Sequence, residues 1–288
     1  MNTPAQDYAT DCHVHVFGER REYPMMENRH YTPGQADTQA LRAHMQACGI
    51  QRVVLVQPSV YGTDNGCMLD AMEILGDAAR GVAVIAQDSP ASLLEQLAER
   101  NVAGLRLNLE SSGQRESDRA RQQVAAWLPA MRRLSMHLQV YAVFETIVAS
   151  LPWLDKLGIP VVLDHFAMIP ADTPDAHPGI RAICDRLSGG QYYVKLSAPY
   201  RIAGTHLPHE QVVQLAQRLI QSNPERCLWG SDWPHTNREP GLHRLEVSRF
   251  REIPSDTLHA QWPAWMPDAA TRRQILHLNP QALYGFPA

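Results

Sequence analysis

Lysine is almost absent from this chain. Only two of the 26 lysine and arginine residues are lysines, Lys156 and Lys195. This scarcity leaves lysine out of the candidate catalytic residues. The net charge is −4, with acidic and basic residues mixed along the chain, which argues against nucleic acid or an anionic membrane surface as a partner.

Cysteine is also sparse and forms no pattern. The five cysteines are Cys12, Cys48, Cys67, Cys184 and Cys227, with no CxxC among them. They predict neither a disulfide framework nor a zinc ribbon, and a reduced, cytoplasmic setting fits best. The N-terminus lacks the pattern of a signal peptide, and no apolar stretch approaches the ~20 residues that span a bilayer.

What the chain does have is a regular alternation of short β-branched runs and amphipathic runs. The eight candidate strands are residues 8–16, Arg52–Gln57, Gly81–Ala86, Ala103–Leu109, Leu138–Val143, Pro160–His165, Tyr192–Ser197 and Cys227–Ser231. The candidate helices are Thr38–Cys48, Cys67–Leu75, Ala91–Arg100, Asp118–Ser135, Thr146–Leu157, Gly179–Leu187 and His209–Gln221. Apolar strands joined by helices indicate a parallel sheet covered on both faces.

Eight such units predict a closed (β/α)8 TIM-type barrel. A doubly wound open sheet is the alternative, but no strand is followed by GxGxxG or a P-loop. We predict a single domain over residues 1–288. The segment after strand 8 is rich in proline and tryptophan, and we expect it to cover the barrel mouth or side and to end in a helix over Asp268–Leu278.

Polar residues collect where the candidate strands end. Strand 1 ends in His13-Val14-His15, and residues two apart on a strand share a face. The other polar groups at strand ends include Ser59, Tyr61, Arg106, Tyr141, Asp164, His165, Arg201 and Asp232, with Gln57, Asn108, Glu145, Ser197, Tyr200 and His235 beside them. In a parallel barrel the active site lies at this end of the strands.

Each of these residues alone has a simpler structural interpretation. His165 could be a satisfied core histidine, Arg106 a structural ion pair, Asp164 a cap of the next segment, and Asp232 a helix N-cap. Together at one end of one barrel, they favour a catalytic site. The remaining histidines are interpreted as structural or surface groups, His235 being the least secure.

The ordered motifs resemble a known family. They are Asp11–Gly18, Tyr61–Asn65, Gly104–Asn108, Pro199–Arg201 and Gly230–His235. The set is similar to the amidohydrolase superfamily, and within it to the branch of 2-pyrone-4,6-dicarboxylate lactonase and related muconolactone and sugar-acid lactonases. The resemblance implies an enzyme that hydrolyses a small carboxylated lactone.

The resemblance also bears on metal binding. Binuclear members bridge two metals with a lysine on strand 4 and use a histidine on strand 5, and this chain has neither, so Glu110 or Glu145 would have to substitute. We expect no required cofactor, as in the lactonase branch. One divalent ion such as zinc is the alternative, held by His13, His15, His165 and Asp232.

The expected mechanism divides these residues by role. Asp232 activates a water molecule, and His13, His15 and His165 polarise the lactone carbonyl. Arg106 and Arg201 bind the substrate carboxylate, with Ser59 and Tyr141 orienting it and Tyr61 a weaker candidate. In the family that the chain resembles, a second arginine follows the strand-4 arginine. Here Ser112 occupies that position, with Arg115 nearby, so the substrate could also be a monocarboxylate or a sugar-acid lactone.

Three other functions stay open as well. A mononuclear metal-dependent decarboxylase of the same superfamily uses a similar set of ligands, and a lactone isomerase would share the cavity. A non-catalytic organic-acid binding protein has no need for an aspartate facing three histidines. The sequence leaves homo-oligomerisation undecided.

Overall fold

The computed structural model describes residues 8–109, 117–203 and 209–287, and its centre is a barrel of eight parallel strands. In chain order they are β1 (Thr10–Val14), β2 (Arg52–Val56), β3 (Ala79–Ala83), β4 (Val102–Asn108), β5 (His137–Tyr141), β6 (Val161–Leu163), β7 (Tyr192–Ser197) and β8 (Cys227–Gly230). The ring closes between the ends of β8 and β1. There the Asp232 amide donates to the His13 carbonyl (2.9 Å) and the His15 amide donates to the Trp233 carbonyl (2.8 Å). The predicted (β/α)8 barrel is confirmed.

Helices connect the strands and cover the outside of the barrel. They are α1 (Thr38–Ala47), α2 (Gly66–Leu75), α3 (Ala91–Glu99), α4 (Ser117–Arg133), α5 (Phe144–Leu154), α6 (Pro178–Ser188) and α7 (His209–Ser222). The sequence fixes their ends locally, as where the Asp37 carboxylate caps α1 by accepting from the Ala40 amide (2.9 Å). Gly49, with φ of 57°, supplies the left-handed residue after the same helix. No helix in the described part of the chain has the length and apolarity needed to cross a membrane.

The main apolar core lies between the strands and these helices, and a smaller cluster fills the inside of the barrel. The inner cluster contains Cys12, Val54, Val56, Val82, Val162 and Leu228. Above it, toward the carboxyl ends of the strands, the inward side chains are polar. The interior therefore changes from apolar to polar along the barrel axis, as expected for an active site at the upper end.

The segment after β8 contains more helix than the sequence predicts. It contains α8 (Ser255–Trp265), α9 (Ala269–Arg273), a π-helical turn (Gln274–Leu278) and α10 (Asn279–Tyr284). The helix predicted over Asp268–Leu278 is present but continues to Tyr284, and α8 was not predicted. Near the mouth, the short strand Val247–Ser248 pairs with Thr32–Pro33.

The last residues of the chain close the opposite end of the barrel. Tyr284 and Phe286 join the inner apolar cluster from below. Arg80 donates to the carbonyls of Tyr284 (3.2 Å) and Gly285 (2.8 Å), with its guanidinium 4.6 Å from the centre of the Phe286 ring. These acceptors allow Arg80 to be buried, and β3 begins at Ala79, two residues before the predicted Gly81, where the backbone already pairs with β2. The segment after β8, which we expected to cover the mouth or side of the barrel, therefore also closes its floor.

Candidate active site

A β-bulge in β1 directs both histidines of the HxH motif into the barrel. The pairing of β1 with β2 shifts by one residue between Asp11 and Val14. The extra residue interrupts strict alternation, so Cys12 packs in the inner apolar cluster while His13 and His15 also face the interior above it. The two imidazoles meet edge to face with their centres 5.0 Å apart.

Asp11 fixes this part of β1 to its surroundings. Its Oδ1 accepts from the amides of His13 (3.1 Å) and Ser231 (2.9 Å), which ties β1 to the end of β8. Its Oδ2 lies 3.6 Å from Nε2 of His44 on α1. Burial lowers the pKa of His44, but hydrogen bonds from the ring to Asp11 and Cys48 outweigh it and raise the pKa to about 9.

Asp232 is fully buried and divides its two oxygens between two sets of partners. Oδ2 accepts from the Tyr200 hydroxyl (2.6 Å) and from Nε (3.1 Å) and Nη2 (2.9 Å) of Arg201. Oδ1 has no hydrogen-bond partner among the described residues. It faces three imidazole Nε2 atoms, those of His13 (3.6 Å), His15 (3.5 Å) and His165 (3.9 Å).

The electrostatics of this group favour an ionised aspartate beside neutral rings of His13 and His165. Burial alone would raise the pKa of Asp232, but Arg201, His165 and His15 outweigh it and hold that pKa well below its usual range. Burial lowers the pKa of His165 to about 3 and that of His13 well below 6.5, despite nearby carboxylates. Asp232 is therefore a carboxylate at neutral pH.

The other nitrogen of each ring decides which tautomer it adopts. His15 Nδ1 lies 2.7 Å from the Val56 carbonyl, which can only accept, so Nδ1 carries the proton and a neutral ring leaves Nε2 bare. His165 Nδ1 lies 2.8 Å from the Ser197 hydroxyl, which can donate and so leave the proton on Nε2. The three predicted imidazole donors are therefore not equivalent.

A second buried cluster surrounds Asp164. Its Oδ2 accepts from Arg106 Nε (3.3 Å) and Nη2 (3.1 Å) and from Gln139 Nε2 (3.0 Å). Its Oδ1 lies 3.4 Å from His13 Nδ1 and 3.7 Å from Lys195 Nζ. Burial raises the pKa of Asp164, but His13, Lys195 and Arg106 outweigh it and keep that pKa well below its usual range. The side chain makes no capping hydrogen bond, so the cap interpretation was wrong.

The expectation that lysine has no place in the site also needs correction. Lys195 on β7 is fully buried, donates to Gln139 Oε1 (2.6 Å) and lies 3.4 Å from His13 Nδ1. Burial lowers its pKa to about 8, against the opposing charge of Asp164. The count of lysines said nothing about their position, whereas the alternation of Tyr193, Lys195 and Ser197 could have indicated an inward lysine.

Both arginines predicted to bind substrate are paired with carboxylates of this chain. Arg106 is 4% exposed and bound to Asp164, as the structural interpretation suggested, while the side chain of Arg201 is 23% exposed and bound to Asp232. The Tyr141 ring lies between them, 5.2 Å from the guanidinium carbon of Arg106 and 6.0 Å from that of Arg201. Arg201 is thus the better placed of the two to reach a ligand in the mouth.

The two remaining predicted residues differ in position. Ser59 is partly exposed and lines a cavity above the strands. Tyr61 is buried, with its ring centre 6.3 Å from that of Phe17 and its hydroxyl beside Cys67. The structure does not bring Tyr61 to the histidines, because it packs in the wall beside the mouth.

Three residues near Asp232 were not among the predicted site residues. The Tyr200 hydroxyl bonds to its carboxylate, and the His235 amide donates to its carbonyl (2.7 Å). Burial raises the pKa of Tyr31. Its hydroxyl forms a hydrogen bond with Thr236 and lies close enough to Arg201 and Asp232 for their charges to act on it. Tyr200 and His235 lie in the motifs that marked Arg201 and Asp232, but nothing in the sequence indicates that Tyr31 reaches this site.

The backbone is left-handed at several positions around the site. His165, Ala198, Asp232 and His235 have φ of 49°, 48°, 62° and 65°. They follow β6, β7 and β8, where the chain must turn sharply to aim side chains into the mouth. Such conformations cost non-glycine residues of order 1–2 kcal/mol each, so the fold holds these residues in place at the expense of stability.

Part of this group has the chemistry of a metal site. One donor atom from each of His13, His15 and Asp232 lies within 4.8 Å of the others, and the same is true of His13, Asp164 and His165. His13 Nε2 and Asp232 Oδ1 are buried without a hydrogen-bond partner in the described chain, and two nitrogens with an oxygen suit a divalent ion such as zinc. Glu145 is exposed on α5, and Glu110, Ser112 and Arg115 lie outside the described residues.

Two curated relatives align with almost the entire chain. The 4-sulfomuconolactone hydrolase of Hydrogenophaga intermedia is 30% identical over 278 residues, covering 96% of this chain and 88% of the relative. The 2-pyrone-4,6-dicarboxylate hydrolase of Comamonas testosteroni is 30% identical over 294 residues, covering 96% of this chain and 90% of the relative.

A solved structure shares the fold. It is a protein of Acinetobacter baumannii described as a probable 2-pyrone-4,6-dicarboxylic acid hydrolase with citric acid bound, 26% identical, with a TM-score of 0.82 over 96% of this chain and 99% of that one. The amidohydrolase family model matches residues 10–286. With that match spanning the barrel and every residue of the site described above, the chain belongs to the amidohydrolase family.

Proposed function

We propose that this protein is a lactonase that opens a small carboxylated lactone by hydrolysis. The observation that carries the proposal is the buried Asp232 carboxylate, which has one oxygen bound by Arg201 and Tyr200 and the other aimed at three imidazoles. A base with one free oxygen next to hydrogen-bond donors is what water attack on a carbonyl requires. The relatives named as lactone hydrolases support this reaction class.

Asp232 is the proposed general base. Its Oδ1 removes a proton from water while the water oxygen bonds to the lactone carbonyl carbon, and the carbonyl electron pair moves onto its oxygen. When the tetrahedral species collapses, the ring C–O bond breaks and Asp232 returns the proton to the leaving oxygen. The aspartate ends as it began, a carboxylate, and the product carries one new carboxylic acid, which releases its proton to solvent at neutral pH.

His13 and His165 are the proposed donors to the developing oxyanion. Nδ1 of His13 lies 3.4 Å from both Lys195 Nζ and Asp164 Oδ1. The proposed donor role of His13 takes the tautomer in which the Lys195 ammonium donates to Nδ1 and Nε2 carries the proton, and Ser197 can favour the same tautomer of His165. A preorganised donor of this kind contributes about 3 kcal/mol to transition-state stability. His15 Nδ1 lies 2.7 Å from the Val56 carbonyl and its Nε2 lies 3.5 Å from Asp232 Oδ1, so its proposed role is to orient the attacking water.

Arg201 is the proposed principal contact for the substrate carboxylate. Its side chain is partly exposed to the mouth and keeps guanidinium N–H groups beyond those bound by Asp232 and Thr236. Arg106, Tyr141 and Ser59 are proposed to complete the binding surface. Arg106 contributes mainly through its fixed charge, because Asp164 already holds two of its nitrogens.

We propose that the reaction requires no metal. Arg106, Lys195 and Arg201 already set three positive charges against the two carboxylates of Asp164 and Asp232, and a proton on His13 Nε2 would compete with a metal there. If a divalent ion binds, His13, His15 and Asp232 would hold it, and it would act as a Lewis acid on the carbonyl or lower the pKa of bound water.

A screen of carboxylated lactones on chelator-treated protein tests the function. We expect loss of the ring absorbance of 2-pyrone-4,6-dicarboxylate or of a muconolactone, and an open-chain product by NMR. A ring-containing product would assign an isomerase instead, and loss of carbon dioxide would assign a decarboxylase. Activity that disappears with the chelator and returns with zinc would contradict the metal-free mechanism.

A further inference from the structure

Lys195 on β7 and Gln139 on β5 form a buried pair beside the ring of His13. Both side chains are fully buried. The Lys195 ammonium donates to Gln139 Oε1 (2.6 Å), and Gln139 Nε2 donates to Asp164 Oδ2 (3.0 Å). Because an ammonium can only donate, the first bond fixes which end of the amide faces the lysine. Gln139 therefore holds Lys195 on one side and Asp164 on the other.

Nδ1 of His13 lies between the two charged groups that Gln139 holds. It is 3.4 Å from Lys195 Nζ and 3.4 Å from Asp164 Oδ1. If the lysine donates to Nδ1, a neutral ring carries its proton on Nε2 and can donate from that atom. If Nδ1 instead donates to Asp164, Nε2 is bare and can only accept. These two distances do not choose between the tautomers.

The number of donors on the buried ammonium does choose between them. Lys195 has three N–H donors. Its Nζ lies 2.6 Å from Gln139 Oε1, 3.4 Å from His13 Nδ1 and 3.7 Å from Asp164 Oδ1. Each donor has one of these atoms as an acceptor only when Nδ1 carries no proton. A proton on Nδ1 would leave one N–H of a fully buried ammonium facing another donor, and an unpaired buried donor on a charged group is costly.

The opposite nitrogen of the same ring is where a donor is needed. His13 Nε2 is buried, has no hydrogen-bond partner in the described part of the chain, and lies 3.6 Å from Asp232 Oδ1. The lactone carbonyl must lie beside the proposed base for water attack. A proton on Nε2 therefore supplies a fixed donor where negative charge develops on the carbonyl oxygen.

We propose that Lys195, held in place by Gln139, is a positioning residue that selects the His13 tautomer with its proton on Nε2 and so makes His13 a donor to the lactone carbonyl oxygen. The inference rests on the proposed lactonase function and adds to it the pair that decides how His13 acts. Neither Lys195 nor Gln139 contacts the substrate in this scheme. Asp164 is the competing acceptor for Nδ1.

Nitrogen NMR of chelator-treated protein with isotope-labelled histidine, recorded at neutral pH, measures the tautomer. A protonated ring nitrogen and a bare one differ widely in chemical shift, and the His13 signals are those missing from His13→Gln. We expect a protonated Nε2 in the wild type. In Lys195→Met the proton should move to Nδ1, because Asp164 Oδ1 is then its charged neighbour. A wild-type ring with its proton on Nδ1 would overturn the proposal without any variant.

Steady-state kinetics on the same proteins separate positioning from a structural role. Lys195→Met should lower kcat roughly 10²- to 10³-fold, the value of one lost oxyanion donor, with KM changed less than about threefold. Gln139→Met keeps the lysine charge but releases its side chain. It should lower kcat roughly tenfold and shift the His13 signals in the same direction. Gln191→Met is the matched control, because Gln191 precedes β7 and donates to two backbone carbonyls there.

The outcomes distinguish the positioning role from the reaction. If lactones are hydrolysed and both variants keep the Nε2 proton and wild-type kcat, the positioning role is wrong and the lactonase stands. If no lactone is hydrolysed but Lys195→Met moves the proton to Nδ1, control of the tautomer stands and the lactonase is wrong. If Lys195→Met does not fold, Gln139→Met decides, and a variant with the wild-type spectrum and kcat overturns the proposal.

Discussion

At the scale of single residues, the site is a set of charges that hold one another in place. Arg201 acts on Asp232 both as a hydrogen-bond donor and as the strongest favourable charge on its carboxylate. On the other side of His13, Arg106 likewise donates to Asp164, but its charge acts on that carboxylate less strongly than those of His13 and Lys195. Removing one partner therefore changes the protonation of the other as well as the binding of substrate.

Arg201→Met is expected to have two separable effects. Loss of the guanidinium should raise KM for a carboxylated lactone roughly 10- to 100-fold. It should also raise the pKa of Asp232, so that the base becomes ionised only at higher pH and the acid limb of the kcat profile moves upward. A pH–rate profile of the variant against wild type measures this, and an unmoved acid limb would show that Asp232 is not the base.

Lys195→Met should destabilise the fold. The substitution leaves Asp164 with Arg106 and His13 but removes the ammonium that binds Gln139 in a fully buried setting. Breaking a buried ionic cluster costs about 3 kcal/mol in the free energy of unfolding. Urea titration measures it, with Lys156→Met as the control because Lys156 is exposed. A change below about 0.5 kcal/mol would mean that Lys195 is not part of the cluster's charge balance.

At the scale of elements, the strand ends were predictable and their fine geometry was not. Apolar runs and helix stops were enough to predict the order of strands and helices, because eight repeated units leave few other architectures. No pattern in the sequence predicts the bulge that lets Cys12, His13 and His15 all face inward. Lys195 was missed for a related reason, since its role depends on which side chains face it across the barrel.

The α1 helix is linked to β1 and β8 through one protonated histidine. The pKa of His44 is raised from 6.5 to about 9 in the folded protein, so the folded state binds the proton more tightly. This stabilisation is fully present below pH 6.5 and is lost as the pH rises through 9. A shift of this size corresponds to about 3 kcal/mol.

His44→Gln should therefore lower the free energy of unfolding at pH 6 and flatten its decline between pH 6.5 and 9. Denaturant titrations at several pH values on wild type and variant provide the measurement. His243→Gln serves as the control, because His243 is exposed in the segment after β8. If both variants show the wild-type slope, the contact between His44 and Asp11 does not carry the proton linkage.

At the scale of the whole molecule, one end of the barrel stabilises the fold and the other end carries the candidate active site. The lower end is closed by Tyr284 and Phe286 and held by Arg80 and Arg52, which both donate to backbone carbonyls of the last residues. The upper end carries the buried charges and the left-handed backbone at His165 and Asp232. Stability supplied at the floor and core offsets the strain at the mouth.

That the chain is one domain over 1–288 stays a prediction, as does a cytoplasmic location.

The proposed mechanism depends on Asp232 acting as the base for water attack on a lactone. The most direct test is kcat of Asp232→Asn against wild type, on chelator-treated protein with 2-pyrone-4,6-dicarboxylate, together with the dissociation constant of citrate. We predict that kcat falls by about 10³-fold while citrate binding changes less than about threefold. A variant that keeps wild-type turnover would contradict the proposed role of Asp232 and the mechanism built on it.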